Sequence, residues 1–346
     1  MSKYLIRSQA PCRISFSGGG TDLEPFRRLY GGCVISATID RFAYTSIIPR
    51  EDKEINIYSL DQDLTLKFRI DDNILLEGEL KLVKAVLKHF NGLIKTGLDI
   101  YIHADAPQGS GAGGSSAMVV SVIGAFNKLL GDELDNYEIA ELACKIERID
   151  CGITGGYQDQ YSSVFGGCNF IEFLEGDPLS VIVNPLRLAP STWHELNYNL
   201  ILCYTGRIWE GESVIAEQAI TAESKKHFYD ELKWLTLAMK ADLLKGDFTD
   251  FAQELLIEWE NKKKLSQHIT TPNVEELCKT ALDNGAKGLK LMGAGGGGFI
   301  LIYTDFTKRK QTIKALEEAG GQITNFRFTE NGLSVWRVKM NGSEVK

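Results

Sequence analysis

The sequence predicts a protein of mixed α and β structure in two domains, and three observations carry that expectation. The chain has 346 residues, enough for two hydrophobic cores. Alternating, β-branched runs crowd its first half. Amphipathic helical patterns crowd the part that follows residue 205.

The elements follow in chain order. "CVISATID", "AYTSIIPR", "EINIYSL" and "LTLKFRI" have strand character, and "LKLVKAVLKHF" repeats apolar residues at helical spacing. "GLDIYIHADAP" reads as a strand that Pro107 ends. Residues 115–130 have the length and composition of a buried helix. In "DNYEIAELACKIERID", Asp135 and Glu138 suit a capping box, with Ile139, Leu142, Ala143 and Ile146 as the apolar face. Three amphipathic helices follow, in "YDELKWLTLAMKADLLKG", "FTDFAQELLIEWENKKKLSQ" and "TPNVEELCKTALDNGA". A strand pair spans "GLKLMGAGGGGFILIYTD", then a helix over 307–319 and a final strand or two. Composition shifts around "NPLRLAPSTWHELN", which places the two domains at 1–190 and 191–346.

Composition excludes several classes of function. The content is 44% apolar and 24% charged, with a net charge of −8, so extended nucleic-acid contacts are not expected. An anionic ligand must be held by local means. No apolar run reaches the length of a membrane span and the N-terminus lacks a signal-peptide pattern, so no membrane partner and a cytoplasmic location are expected. Seven cysteines form no CxxC pair, which reads as reduced, mostly buried thiols. Five scattered histidines make no metal-binding spacing.

Two glycine clusters carry the chemistry. Residues 109–114 and 293–298 both match GxGxxG. A nicotinamide-dinucleotide site needs an acid at a second strand end, yet Asp132 and Asp135 lie in a polar turn leading into a helix. A Walker loop needs a lysine, and none stands between Lys95 and Lys128. What remains is a loop whose amides, at the start of a helix, favour a phosphate without basic side chains. Ser115 and Ser116 suit N-caps, or one hydroxyl suits Mg²⁺. Four consecutive glycines at 295–298 exceed what a hairpin needs and suggest close approach of the backbone to another segment or a ligand.

Three segments resemble the motifs of the GHMP kinases: "APCRISFSGGGTDLEPF", "PQGSGAGGSSA" and "KLMGAGGGGFIL". The resemblance implies a two-domain α+β fold, with an N-terminal domain like domain 2 of ribosomal protein S5, a left-handed βαβ crossover and a ferredoxin-like C-terminal domain. It also implies ATP and Mg²⁺, with the acceptor in the cleft between domains. Within the family, Gly19 and Gly20 stand where the galactose branch carries an acid and a histidine before "TD". "GGCVISATID" and "GGYQDQYSSVFGG" instead resemble the branch that phosphorylates the anomeric hydroxyl of a heptose 7-phosphate toward GDP-heptose, with fucose kinases as the nearest competitor.

By this resemblance, Pro107, Gly109, Ser110, Gly111, Ala112, Gly113, Gly114, Ser115 and Ser116 hold the nucleotide, and Ser116 with Glu147 holds Mg²⁺. Asp159 orients and deprotonates the sugar hydroxyl, and Arg13 stabilises the transferring group. Gly19, Gly20, Thr21, Asp22, Gly155, Gly156, Tyr157, Gly295 and Gly296 bind the sugar, and Arg27, Arg28 and Lys290 are candidates for its phosphate. Each also suits a plain structural job: Glu147 paired with Lys145 or Arg148 at a helix end, Asp159 capping the next helix, Thr21 and Asp22 forming a turn, the cations solvated at the surface. The expected partner is a small-molecule sugar phosphate, with a homodimer left open. A catalytically silent sensor would be expected to have lost Asp159 or Glu147, and both are present.

Overall fold

A computed structural model describes residues 4–107, 109–206 and 212–340. The first region holds β1 (Tyr4–Ser17), α1 (Phe26–Tyr30), β2 (Gly32–Pro49), β3 (Glu54–Ser59), β4 (Leu64–Arg69), α2 (Lys81–Phe90) and β5 (Leu98–Ala104). It continues with α3 (Gly114–Leu130), α4 (Asn136–Lys145), a π-helical turn (Ile146–Asp150), α5 (Gln158–Phe165), β6 (Cys168–Phe173) and β7 (Val181–Pro185). The second region holds α6 (Pro190–Asn199), β8 (Leu200–Tyr204), α7 (Glu212–Thr221), α8 (Lys226–Lys245), α9 (Phe248–Lys263) and α10 (Pro272–Asp283). It ends with β9 (Ala286–Leu291), β10 (Phe299–Thr304), α11 (Arg309–Glu318), β11 (Gln322–Thr324) and β12 (Ser334–Lys339).

The larger sheet runs β12-β1-β2-β5-β3-β4, with β6 and β7 attached to β2. The two strands expected in "CVISATID" and "AYTSIIPR" are one continuous strand, because no Gly or Pro lies between them to turn the chain. Its first half pairs with β6 and its second with β5, while β1 follows it along most of its length. The expected capping box is present: the Asp135 carboxylate accepts the Glu138 N–H, and the Glu138 carboxylate accepts the Asp135 N–H.

The smaller sheet has the order β11-β8-β10-β9, the outer-strand arrangement of a ferredoxin-like unit, and its pairs are antiparallel. The segment expected to join the domains contains α6 and leads straight into β8, so it builds the second unit. Residues 334–339 do not stay with that unit. β12 pairs antiparallel with β1 and completes the first sheet. The larger hydrophobic core also crosses the division: Ile14 and Phe16 of β1 share it with Met239 of α8 and Phe251 of α9. All seven cysteines are free and buried. No described helix is long and apolar enough to cross a membrane.

Candidate active site

A cavity of about 510 Å³ opens between the two units. Its floor is the first glycine loop. Gly109, Gly111 and Gly113 all have positive φ (+68°, +77° and +74°), a conformation that costs other residues strain. The loop's carbonyls turn into protein: Ser110 O accepts Phe299 N–H, Ala112 O accepts Arg13 N–H, and Gly111 O accepts the Arg13 guanidinium. Its other side begins α3, whose first-turn amides have no acceptor within the helix. Gly113, Gly114, Ser115 and Ser116 line the cavity there, so the surface offered is an anion-binding one.

The second glycine cluster packs against the back of the first. A Cβ at Gly293 would stand 2.7 Å from Gly111 Cα, and one at Gly298 would stand 2.5 Å from Ser110 O. Close backbone approach to another segment thus accounts for these glycines. Gly295 lies against the Ile269 backbone and the Gly296 N–H donates to Ile269 O, so neither borders the cavity where sugar contacts were expected.

Arg13 of β1 and Asp159 of α5 meet beside the loop. Arg13 Nε and Nη2 donate to Asp159 Oδ1 at 2.8 and 2.6 Å. Asp159 Oδ2 lies 3.3 Å from where a Cβ at Gly113 would stand, so only glycine leaves that oxygen open toward the start of α3. Asp159 therefore does not cap α5. Asp22 does so from another part of the chain, accepting the N–H groups of Tyr157 and Gln158 at 2.9 and 3.0 Å and that of Gly20 at 3.1 Å. Burial pushes the Asp22 carboxyl above its usual range, and these amides oppose the shift.

Ser116 Oγ donates to Glu147 Oε2 at 3.1 Å, and Gln160 Nε2 donates to Glu147 Oε1 at 2.7 Å. Glu147 projects from the π-helical turn and is only 3% exposed. Burial raises its carboxyl above the ordinary value, and the Arg148 guanidinium at 3.4 Å opposes that. A hydroxyl and a desolvated carboxylate facing one cavity are hard oxygen donors. They fit Mg²⁺, which takes few protein ligands and completes its shell with substrate phosphates and water.

The remaining expected residues divide. Gly19, Gly20, Asp22, Gly155 and Gly156 line the cavity. Gly155 and Gly156 are glycines for space: a Cβ would meet the Arg148 guanidinium at 2.7 Å and the Asp22 carboxylate at 2.1 Å, respectively. Thr21 is fully buried, its hydroxyl set between Gly18 O and Cys33 O and accepting Cys33 N–H, so it is a turn residue rather than a sugar contact. The Tyr157 ring lies beside Arg27 and Phe173, outside the cavity lining, and Ala112 is covered too. The proposed phosphate cations are also otherwise placed. Arg27 pairs with Glu24 and binds Gly176 O, and Arg28 does not reach the cavity; Lys290 does line it, but its ammonium is buried and already paired with Glu258 at 2.7 Å. Lys262, Gln160 and Ser15 are cavity or support residues that the sequence did not single out, since each sits in an unremarkable local pattern.

A helix start suited to an anion, with the Asp159 carboxylate and the Ser116 and Glu147 oxygens beside it in one cavity, fits phosphoryl transfer. The family model of the GHMP kinases N terminal domain matches residues 80–167, and that of the GHMP kinases C terminal matches residues 239–322. The chain is 36% identical to a D-glycero-alpha-D-manno-heptose 7-phosphate kinase of Campylobacter jejuni, over 96% of this chain and 99% of the relative. It is 27% identical to a bifunctional fucokinase/GDP-fucose pyrophosphorylase of Arabidopsis thaliana, over 90% of this chain but 31% of that longer protein. A crystal structure described as a D-glycero-D-manno-heptose 1-phosphate kinase from Bacteriodes thetaiotaomicron superposes with a TM-score of 0.82. It is 33% identical and covers 96% of this chain and 99% of that one. The chain belongs to the GHMP kinases, and it is a phosphotransferase whose acceptor is an alcohol group of a sugar.

Proposed function

We propose that the chain transfers the γ-phosphoryl group of ATP to the anomeric hydroxyl of D-glycero-D-manno-heptose 7-phosphate, forming the 1,7-bisphosphate on a route to GDP-heptose. The observation that carries the transfer chemistry is the Asp159 carboxylate, pinned through Oδ1 by Arg13 with Oδ2 open beside Gly113. The likeness to the Campylobacter jejuni relative supports the acceptor. The two heptose kinases to which the chain is similar are named for different phosphate positions, so the position is the point to test.

In this reading the amides of Gly113 to Ser116 hold the transferring phosphates, and Ser116 and Glu147 hold Mg²⁺, which supplies charge neutralisation at the phosphate oxygens. Asp159 Oδ2 accepts the proton of the acceptor hydroxyl. The hydroxyl oxygen forms a bond to the γ-phosphorus, the bond from that phosphorus to the β–γ bridging oxygen breaks, and ADP leaves. An anomeric hydroxyl is more acidic than other sugar hydroxyls, which suits a carboxylate base. Arg13 keeps that base in place and adds fixed positive charge where negative charge develops.

The test is ADP release with heptose 7-phosphate, heptose 1-phosphate, fucose, mannose and galactose, with and without Mg²⁺. Turnover confined to heptose 7-phosphate, and dependent on Mg²⁺, is expected. Turnover of fucose alone would move the chain to the fucose branch. With the preferred acceptor, Asp159→Asn is expected to lower kcat about 10²- to 10⁴-fold with the KM for ATP nearly unchanged. Turnover like that of the unaltered protein would remove Asp159 from the chemistry.

A further inference from the structure

Gly19 marks a polar corner of the cavity that none of the roles above uses. The point where its Cβ would stand lies 3.7 Å from Gln158 Nε2, 3.8 Å from Lys262 Nζ and 3.8 Å from Ser15 Oγ. Donors from three elements, α5, α9 and β1, therefore converge on a space kept open by the missing side chain, with Gln158 Nε2 also donating to the Asp22 carboxylate at 3.3 Å. Among the described residues, the buried Ser15 hydroxyl has no hydrogen-bond partner, nor do Gln158 Oε1 and Gln218 Nε2; all three residues line the cavity, Gln218 at the adjoining Gly20. Buried polar atoms are rarely left in that state, so the corner has the character of a site awaiting a polar ligand.

Charge narrows the ligand. Lys262 is 5% exposed, and its ammonium donates to Gly293 O at 2.6 Å. It makes no ion pair among the described residues, whereas the other cations near it do: Lys290 is matched by Glu258 and Arg13 by Asp159. Burial, and then the neighbouring Lys290, pull the Lys262 ammonium down to about 8. An anion bound beside it would oppose that shift. Its carbonyl partner satisfies one of three N–H groups, while Glu258 and Asp22 favour its charged form only from a distance, without pairing to it.

Position narrows it further. Arg13 and Ser15 project from the same face of β1 in an unbroken stretch of register, Arg13 opposite Thr38 and Ser15 opposite Ser36. Two residues along a strand are about 7 Å apart. The corner is therefore separated from the Arg13 and Asp159 pair by a span that a pyranose ring with its exocyclic carbons can bridge. The end of the acceptor remote from the reacting hydroxyl would come to rest there.

We propose that Lys262, with Ser15, Gln158 and Gln218, forms the subsite that receives the phosphate monoester of the acceptor. This rests on the reading of the acceptor as a phosphorylated sugar, and it makes Lys262 the residue that selects phosphorylated over unphosphorylated acceptors.

The experiment compares heptose 7-phosphate with unphosphorylated heptose in the unaltered protein and in Lys262→Met, Lys262→Arg and Ser15→Ala. Lys262→Met is expected to raise the KM for heptose 7-phosphate about 10- to 100-fold, the worth of one charge-assisted hydrogen bond. The KM for ATP and turnover of unphosphorylated heptose should change little, and Lys262→Arg should recover part of the loss. Ser15→Ala should shift the same preference less, and it serves alone where Lys262→Met does not fold. Equal losses on both acceptors, or a variant that keeps the preference of the unaltered protein, would overturn the subsite and leave the heptose phosphate reading standing. An unaltered protein without any preference for phosphorylated acceptors would overturn both. Preference for a different phosphorylated sugar, lost in Lys262→Met, would overturn only the heptose reading.

Discussion

Burial pushes the Glu147 carboxyl above its usual range, so the folded protein binds a proton there more tightly than the unfolded chain does. The sign follows. Its contribution to stability is complete below the unfolded pKa of about 4.3 and is lost as pH rises through the raised folded value. In the absence of nucleotide and metal, Glu147→Gln is expected to raise Tm at pH 7, with the gain fading as pH falls toward 4.5 or so. Thermal unfolding across that range reads it, and a gain independent of pH would show that the charge of Glu147 is not the source. The same variant should lose most of its Mg²⁺-dependent turnover. Glu147 was legible as a carboxylate at the end of an apolar helical face, but not as a buried one, because the π-helical turn that aims it inward has no sequence pattern here. Lys262 was not legible at all. It stands in "ENKKKL", a charge run like any solvated helix end, and only the packing of α9 against the Gly293 loop buries it.

The two glycine loops act as one element, since the second supports the first from behind. Gly298 has φ of +99° and does not border the cavity, yet a side chain there would collide with Ser110 O. Gly298→Ala is therefore expected to destabilise the fold by at least 1–3 kcal/mol or so, the usual cost of a strained backbone conformation, and to raise the KM for ATP. Calorimetry and steady-state kinetics check the two parts. A lower Tm with an unchanged KM would show that the loops move independently. Both clusters were visible as GxGxxG, and the first was correctly read as a loop before a helix because the apolar run after it is long. That they touch was not visible, because their contact joins residues nearly two hundred positions apart and depends on backbone atoms that every residue shares.

The chain crosses between its two sheets twice, and its last strand closes the first sheet. β12 meets β1 from Tyr4 opposite Lys339 to Gln9 opposite Ser334, and Leu333 packs on Gly124 of α3. Removing residues 325–346 would expose the β1 edge and uncover α3. The shortened protein is expected to unfold at a lower temperature and to aggregate, followed by circular dichroism and light scattering. A Tm equal to that of the full chain would mean that β12 only decorates the sheet. The division expected at residue 190 rests on composition, and composition carries no record of the return of β12 to the first sheet, since strand pairing of this kind leaves no local signature.

The sequence by itself determined a phosphate-favouring loop, because glycine spacing and a helix start without lysine depend on neighbours a few residues apart; the class of chemistry came with the resemblance of three segments to the GHMP kinases. It also determined most of the helices and strands, whose periodicity is local. The tertiary structure alone decided which polar residues reach the cavity. It turned Thr21 and Arg27 into supports, set Asp22 as the cap of α5 and brought Lys262 to Gly19. The physical reason is that burial and counter-ion pairing are set by what packs against a side chain, and those partners come from distant parts of the chain.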